Sequence, residues 1–241
     1  GRDQLDPERD ARHGRLRGAL DLAKSLPFLK AAQPVVRAMA AETIACASEA
    51  GLAELRKLVA DPLAGPACIH ALGLKQDRAP VPALLGCLSQ RGAPEVVAAA
   101  ARVLGVLRVK EALEPLRKAL QSAQDLNLKK EALWALVLLN CKDAGAQLAG
   151  FLEDPDQDLR FRAALGLGLL KSSETKGLAA WLAKDRHSRE LAVWVMRQTW
   201  DKAEARKALA AVPPPKDEID RKRMALLVQS FGDNPGRKGR K

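Results

Sequence analysis

Apolar residues along this chain recur at intervals of three and four, the stripe of half-buried helices, and the stripes come in repeating pairs. PVVRAMAAETIA, PLAGPACIHALG, PEVVAAAARVLG, DLNLKKEALWALV, DLRFRAALGLG and HSRELAVWVMR align without internal gaps on Ile44, Leu72, Leu104, Leu136, Leu167 and Met196. Those anchors stand 28, 32, 32, 31 and 29 residues apart. A second series, LRKLV, LLGCL, LRKAL, LAGFL, LAAWL and ARKAL, begins at Leu55, Leu84, Leu116, Leu148, Leu178 and Ala205 and tracks the first. Pro34, Pro62 and Pro94 open the first three units. At a helix's first turn proline has its φ preset and sacrifices no hydrogen bond. A hairpin of about 30 residues cannot bury both its stripes alone, so stacked neighbours must supply the core. The pattern predicts an all-α solenoid of about six hairpins over residues 34–211. Residues 1–33 read as an N-terminal capping helix and connector, and 212–231 as a proline-rich stop followed by an amphipathic helix, apolar at Ile219, Met224, Leu227 and Phe231. Residues 232–241 read as a disordered basic tail.

The segments DRAPVPALLGCL, VVAAAARVLGVLRVKEALEPLRKAL and DPDQDLRFRAALGLGLL resemble HEAT repeats of the short, phycobilisome-lyase type. The resemblance covers roughly residues 34–211. It implies a right-handed superhelix with first helices outside, second helices lining a concave side, and a binding role. It also implies that Asp61, Asp154 and Asp185, each closing a unit, pair with the basic residue opening the next first helix, here Arg160 and Arg189. Unit 2 departs from the pattern, with Gly65 and Pro66 in the basic slot, so its first helix should be weak or distorted.

Composition narrows the classes. Scarce aromatics, no Tyr and abundant Ala and Leu disfavour β architectures, and no apolar run approaches a membrane span. The opening GRDQLDPERD, with neither Met nor an apolar run, reads as a processed chain or a fragment rather than a signal peptide. Four cysteines, Cys46, Cys68, Cys87 and Cys141, show no metal-ligand spacing and sit in apolar helical contexts, so they read as core thiols of a cytoplasmic rather than a secreted protein. His13, His70 and His187 lie in separate segments without partner spacing. No metal site, cofactor or catalytic constellation is predicted. Gly105, Gly166 and Gly168 follow leucines inside first helices, where small residues let repeats approach.

Net charge is +11, of which the repeat array carries less than half. On the second helices the two slots after each leading residue should face outward. They hold basic pairs in units 1, 3 and 6: Arg56 and Lys57, Arg117 and Lys118, Arg206 and Lys207. Such pairs suit an acidic peptide or a phosphate backbone, or merely solvated helix charge. The slot two before each first-helix anchor should also be exposed. It turns from Glu42, His70 and Arg102 to Trp134, Leu165 and Trp194, which would form an apolar partner strip on units 4 to 6, open or covered by the 218–231 helix. Trp181 invites comparison with HEAT-like alkylpurine DNA glycosylases, which use Trp and Asp on a concave surface, but it aligns with core slots. The leading reading is a non-enzymatic scaffold that binds a protein partner, acidic if it sits in the groove. The alternative is a nucleic-acid-binding HEAT protein, glycosylase-like enzymes among them. Tetrapyrrole lyase or chaperone chemistry is implied only by the resemblance.

Overall fold

Two kinds of helix alternate along the chain, and the apolar stripes decide which packs on which. The computed structural model describes residues 22–89, 93–229 and 231, and among these every regular element is helical. The contacts divide the chain into two compact bodies, residues 1–139 and 140–241. The first runs from α1 (Pro34–Ala47) through α2 (Glu49–Lys57), α3 (Gly65–Leu74), α4 (Val81–Ser89), α5 (Pro94–Val106) and α6 (Leu113–Ser122) to α7 (Leu126–Leu138). The second holds α8 (Gly145–Ala149), α9 (Gln157–Leu170), a 3-10 helix over Lys176–Ala183, α10 (Arg186–Thr199), α11 (Lys202–Ala210) and α12 (Glu218–Gln229). The predicted N-terminal helix lies mostly outside the described residues, apart from a helical stretch at 22–25 and a 3-10 turn at Leu26–Lys30.

In the first body α1, α3, α5 and α7 pack in succession, while α2 bridges α1 and α3, and α6 rests on α7. In the second, α9 packs on α10. All six anchors are fully buried, each side chain contributing about 1.5–3 kcal/mol by leaving water. Close approach between first helices rests on glycine at three places. A Cβ built on Gly73 would lie 2.7 Å from a Val103 methyl on α5. A Cβ built on Gly105 would lie 2.7 Å from the Cα of Ala135 on α7. One built on Gly168 would strike the ring of Trp194 on α10.

Pro34 and Pro94 are the first residues of their helices, as expected. Pro62 is not. The Asp61 carboxylate accepts hydrogen bonds from the N–H groups of Leu63 and Ala64 at 2.8 and 2.7 Å, a local turn that competes with helix, and α3 starts only at Gly65. It is a regular helix of 10 residues against 14 in α1, shortened rather than distorted.

Four of the six first helices close on a shared turn that no glycine announces. Gln76, Arg108, Asn140 and Lys171 adopt left-handed backbone, φ 51–55°, each four residues past its anchor. The N–H groups of Asp77, Val109 and Ser172 reach back to the carbonyls of Leu72, Leu104 and Leu167, each at 3.0 Å, the six-to-one bond of a Schellman closure.

Second helices depart from expectation in the second body. α8 has only 5 residues, and the next is a 3-10 helix. Gly145, Gly150 and Gly177 favour neither, and Trp181 makes up the missing core: it is 1% exposed, edge-on to Phe161 with centroids 5.6 Å apart. Cys68, Cys87 and Cys141 are buried thiols, but Cys46 is exposed, because two residues past Ile44 it faces the far side of α1. Burial pushes the Cys68 thiol up to about 12. On α12, Met224 is buried but Ile219 is exposed, since five residues place them about 140° apart around the helix.

Candidate functional site

The predicted cation pairs are largely consumed by their own neighbours. Arg56 donates to Asp77 at 2.6 Å and to Glu49 at 2.7 Å, and those two bonds, Asp77 first, hold its pKa above the ordinary value. Lys57 pairs with Glu54 at 2.7 Å and Arg117 with Glu114 at 3.3 Å. Arg206 donates to the Phe231 carbonyl at 2.6 Å, with the Arg197 guanidinium 5.6 Å from the centre of the Phe231 ring. Of the six side chains, Lys118 and Lys207 have no ion-pair or hydrogen-bond partner among the described residues, and both are exposed.

The pairing of unit-closing acids with first-helix bases takes a different form. Asp185 caps α10, accepting from the Ser188 N–H at 3.0 Å and its hydroxyl at 2.6 Å. Those bonds, the hydroxyl's first, hold its carboxyl below the usual range. The bases bond backbone instead. Arg37 donates to the carbonyls of Ala31 and Ala32, Arg160 to those of Asp154 and Pro155, and Arg189 to those of Leu182 and Lys184. At these three first-helix entries one guanidinium satisfies two backbone carbonyls, through Nη1 alone at Arg37 and Arg160 and through Nε and Nη2 at Arg189. A related tie joins consecutive repeats: Arg78 donates to the Leu107 carbonyl ending α5, and Lys142 to the Leu170 carbonyl ending α9, cations placed at helix C-termini.

The apolar strip is half-buried, not open. Trp134 belongs to the first body, Leu165 and Trp194 to the second, and the Trp194 ring lies in the notch above Gly168. At Trp194 the slot therefore points toward a neighbouring first helix rather than outward. Arg102 shows the polar version, donating to both Glu131 oxygens at 2.9 and 3.0 Å, a pair the sequence reading missed because it joins different repeats. His70 stands 4.0 Å from Glu42. α12 packs on α11. Trp181 is core, as its alignment indicates.

His13 and the basic tail lie outside the described residues. Among those described, no three His, Cys, Asp or Glu gather as metal ligands, and no helix is long and apolar enough to cross a membrane.

The second-helix edge of the first body holds a cleft of about 570 Å3, floored by Leu88, Val97, Ala119 and Leu128 and bordered by Pro115 and Lys118.

An array of paired helices with buried anchors at one slot, closed by a shared turn, defines a helical-repeat scaffold. Residues 60–137 match the family described as HEAT repeats. The fold is similar to that of a chain in the solved complex of CpcE and CpcF of phycocyanin lyase from Nostoc sp. PCC7120. That match has 21% identity and a TM-score of 0.52 over 89% of this chain and 94% of the other. No curated protein matches the sequence. The chain thus has an all-α helical-repeat fold, of which residues 60–137 match HEAT repeats.

Proposed function

We propose that this chain is a non-enzymatic scaffold whose array, residues 34–211, flanked by the 1–33 cap and the 212–231 stop and helix, holds a protein partner. One observation carries the reading. Four of the six second-helix cations are spent on their own chain, through Glu49, Glu54, Asp77, Glu114 and the Phe231 carbonyl. A phosphate backbone is gripped by many cations free to displace counterions, whereas a mixed face with few free charges and apolar clefts suits a protein. That the similar fold comes from a two-subunit complex agrees with this. Buried thiols at Cys68, Cys87 and Cys141 support a reducing, cytoplasmic setting.

The immobilised chain, incubated with native lysate with and without nuclease, should retain a discrete protein that survives nuclease treatment. A labelled duplex should bind weakly and lose its binding as salt rises. Retention of nucleic acid alone, with tight duplex binding at physiological salt, overturns the reading.

A further inference from the structure

We infer that the outward face of α1, α3 and α5 is where two copies of this chain meet, face to face about a two-fold axis, with the first helices of one copy antiparallel to those of the other. This goes beyond the scaffold reading, because it uses the side away from the second helices and leaves them free for the scaffold's partner.

The exposed apolar surface of the first body lies on this side. Val35, Met39, Leu74 and Val106 are 68, 64, 61 and 53% exposed, and Leu63, in the turn before α3, is 45% exposed. Among the described residues no exposed large apolar side chain falls on α2, α4 or α6. Positions nine, five and two before an anchor and two after it fall within about 40° of the side opposite that anchor. Reversing a first helix exchanges the slot nine before with the slot two after, and the slot five before with the slot two before. The first exchange sets Leu63 opposite the second copy's Leu74, and Val35 opposite its exposed Cys46. The second sets small residues, Ala67 and Ala99, opposite the second copy's His70 and Arg102, while Met39 lies over the stem of its Glu42. A hollow of about 150 Å3, floored by Ala99 and Val103 between His70 and Arg102, receives the larger side chains.

Charge commits the face to a second copy. Glu95 lies in the first turn of α5 and Arg108 just past its end, both exposed and with side chains unpaired among the described residues. Each therefore lies near its opposite when two α5 helices run antiparallel. Exposed Lys75 ends α3 likewise, and Asp61, with Lys30 near it, precedes that helix. Between the edges the charges are met within the chain: Arg102 donates to both Glu131 oxygens, and His70 stands 4.0 Å from Glu42. A face with acid at one edge and base at the other suits neither a phosphate backbone nor a peptide of one charge. Turned over, it complements itself, as an isologous contact requires. A copy also brings its first helices at the same spacing, so three successive repeats meet in register.

Sedimentation equilibrium of the full chain, from low to high micromolar, should show a mass rising reversibly toward twice that of the chain. Leu74→Asp should weaken the dimer about a hundredfold, since it buries a carboxylate against Leu63. Glu95→Arg and Arg108→Glu should each weaken it about three- to tenfold, and the two together in one chain should restore it, because the exchanged charges meet again across the two-fold. Circular dichroism checks that each variant keeps its helices. Val35→Cys oxidised with diamide should run as a covalent dimer, the introduced thiol joined to Cys46 of the other copy. Within one chain those positions are 11 residues apart on α1, about 16 Å of helix rise, too far for a disulfide. Adding Cys46→Ser should abolish the link. A monomer at every concentration overturns the proposal, as does a dimer indifferent to Leu74→Asp. Failure of the double charge exchange to restore the dimer, or of Val35→Cys to cross-link, overturns the antiparallel pairing, as does a link formed by the wild type through Cys46 alone. If Leu74→Asp leaves the mass unchanged but loses the protein retained from lysate, the face belongs to the scaffold's partner and the dimer falls. If the lysate protein is kept by a monomeric Leu74→Asp, the two readings stand separately; if wild type retains none, the scaffold reading falls and the dimer is untouched.

Discussion

The two bodies solve one packing problem by different means. In the first, second helices of nine or ten residues, α4 and α6, stack with aliphatic side chains. Leu84 and Leu116 are fully buried there, and the residues matching the HEAT description, 60–137, fall entirely within it. In the second, the corresponding elements are a five-residue helix and a 3-10 helix, and large polar and aromatic side chains take over. Trp181 fills the interior, Trp200 donates its indole N–H to the buried Thr175 hydroxyl at 2.7 Å, and Arg189 is buried against two carbonyls. A repeat can therefore lose regular helix yet keep its place, provided single large residues replace distributed contacts. The consequence is a body more exposed to point substitution.

Trp181→Ala tests that consequence most severely. Emptying so large a buried site costs about 3–5 kcal/mol, enough to open the second body while α3 to α6 stay protected. Hydrogen exchange resolved by segment should show lost protection from Gln157 to Thr199 and little change in α5. Equal loss in both bodies would mean they unfold as one cooperative unit and that the contrast has no energetic content. The indole N–H of Trp181 has no acceptor among the described residues, so Trp181→Phe should cost markedly less than Trp181→Ala.

The glycine notches come next. Gly105→Ala sets a methyl 2.7 Å from the Cα of Ala135. Backbone cannot swing aside, so α5 and α7 must separate, at about 1–3 kcal/mol. Gly168→Ala meets the Trp194 ring, which can tilt, and should cost less. Thermal denaturation of the two variants orders them; the reverse order would show that Trp194 is held more rigidly than the α5–α7 contact.

How much of this was legible follows from what periodicity encodes. The anchors Ile44 to Met196 and the core status of Trp181 were readable because burial recurs at one slot per repeat. The outward slots were harder, because at Trp194 the position two before the anchor faces a neighbouring first helix. Whether Trp194 is open depends on Gly168, a repeat away, and Arg102 finds Glu131 likewise. The Lys118 cleft left no mark in the periodicity, since its walls come from four helices. The roles of Arg160 and Arg189 were misassigned because charge complementarity suggests a carboxylate partner, while the local chain offers carbonyls at closer reach. A signal was present: each follows a unit-closing turn by five to seven residues.

Acid provides a milder probe of both bodies. Asp185 in the second and Asp61 in the first have carboxyls held below the ordinary value, chiefly by the Ser188 hydroxyl and by the Ala64 N–H respectively. A depressed folded-state pKa means the unfolded chain takes up a proton first. The stabilisation is then complete above about pH 4 and lost as pH falls through the folded-state value. Three of the four tryptophans, Trp181, Trp194 and Trp200, lie in the second body, so intrinsic fluorescence reports mainly on it. Ser188→Ala removes the first cause at Asp185. It should lower stability at neutral pH and flatten the fluorescence-detected loss below pH 4, leaving the first body's acid response, followed by exchange in α3, as before. An unchanged acid limb in Ser188→Ala would place the acid sensitivity elsewhere.

The smallest effect should be the one shared by both bodies. Left-handed backbone costs an ordinary residue about 1–2 kcal/mol, while glycine adopts it freely but loses more entropy on folding. Gln76→Gly in the first body and Lys171→Gly in the second should each stabilise by a net of about 0.5–1 kcal/mol. Both side chains are exposed and have no bond to give up among the described residues. The two gains should match, because the turn is the same, with bonds from Asp77 to Leu72 and from Ser172 to Leu167 of equal length. Urea denaturation followed by circular dichroism and by tryptophan fluorescence separates the bodies. A gain at Gln76 without one at Lys171 would show that the second body's first helix is limited by its weakened second layer rather than by its own end.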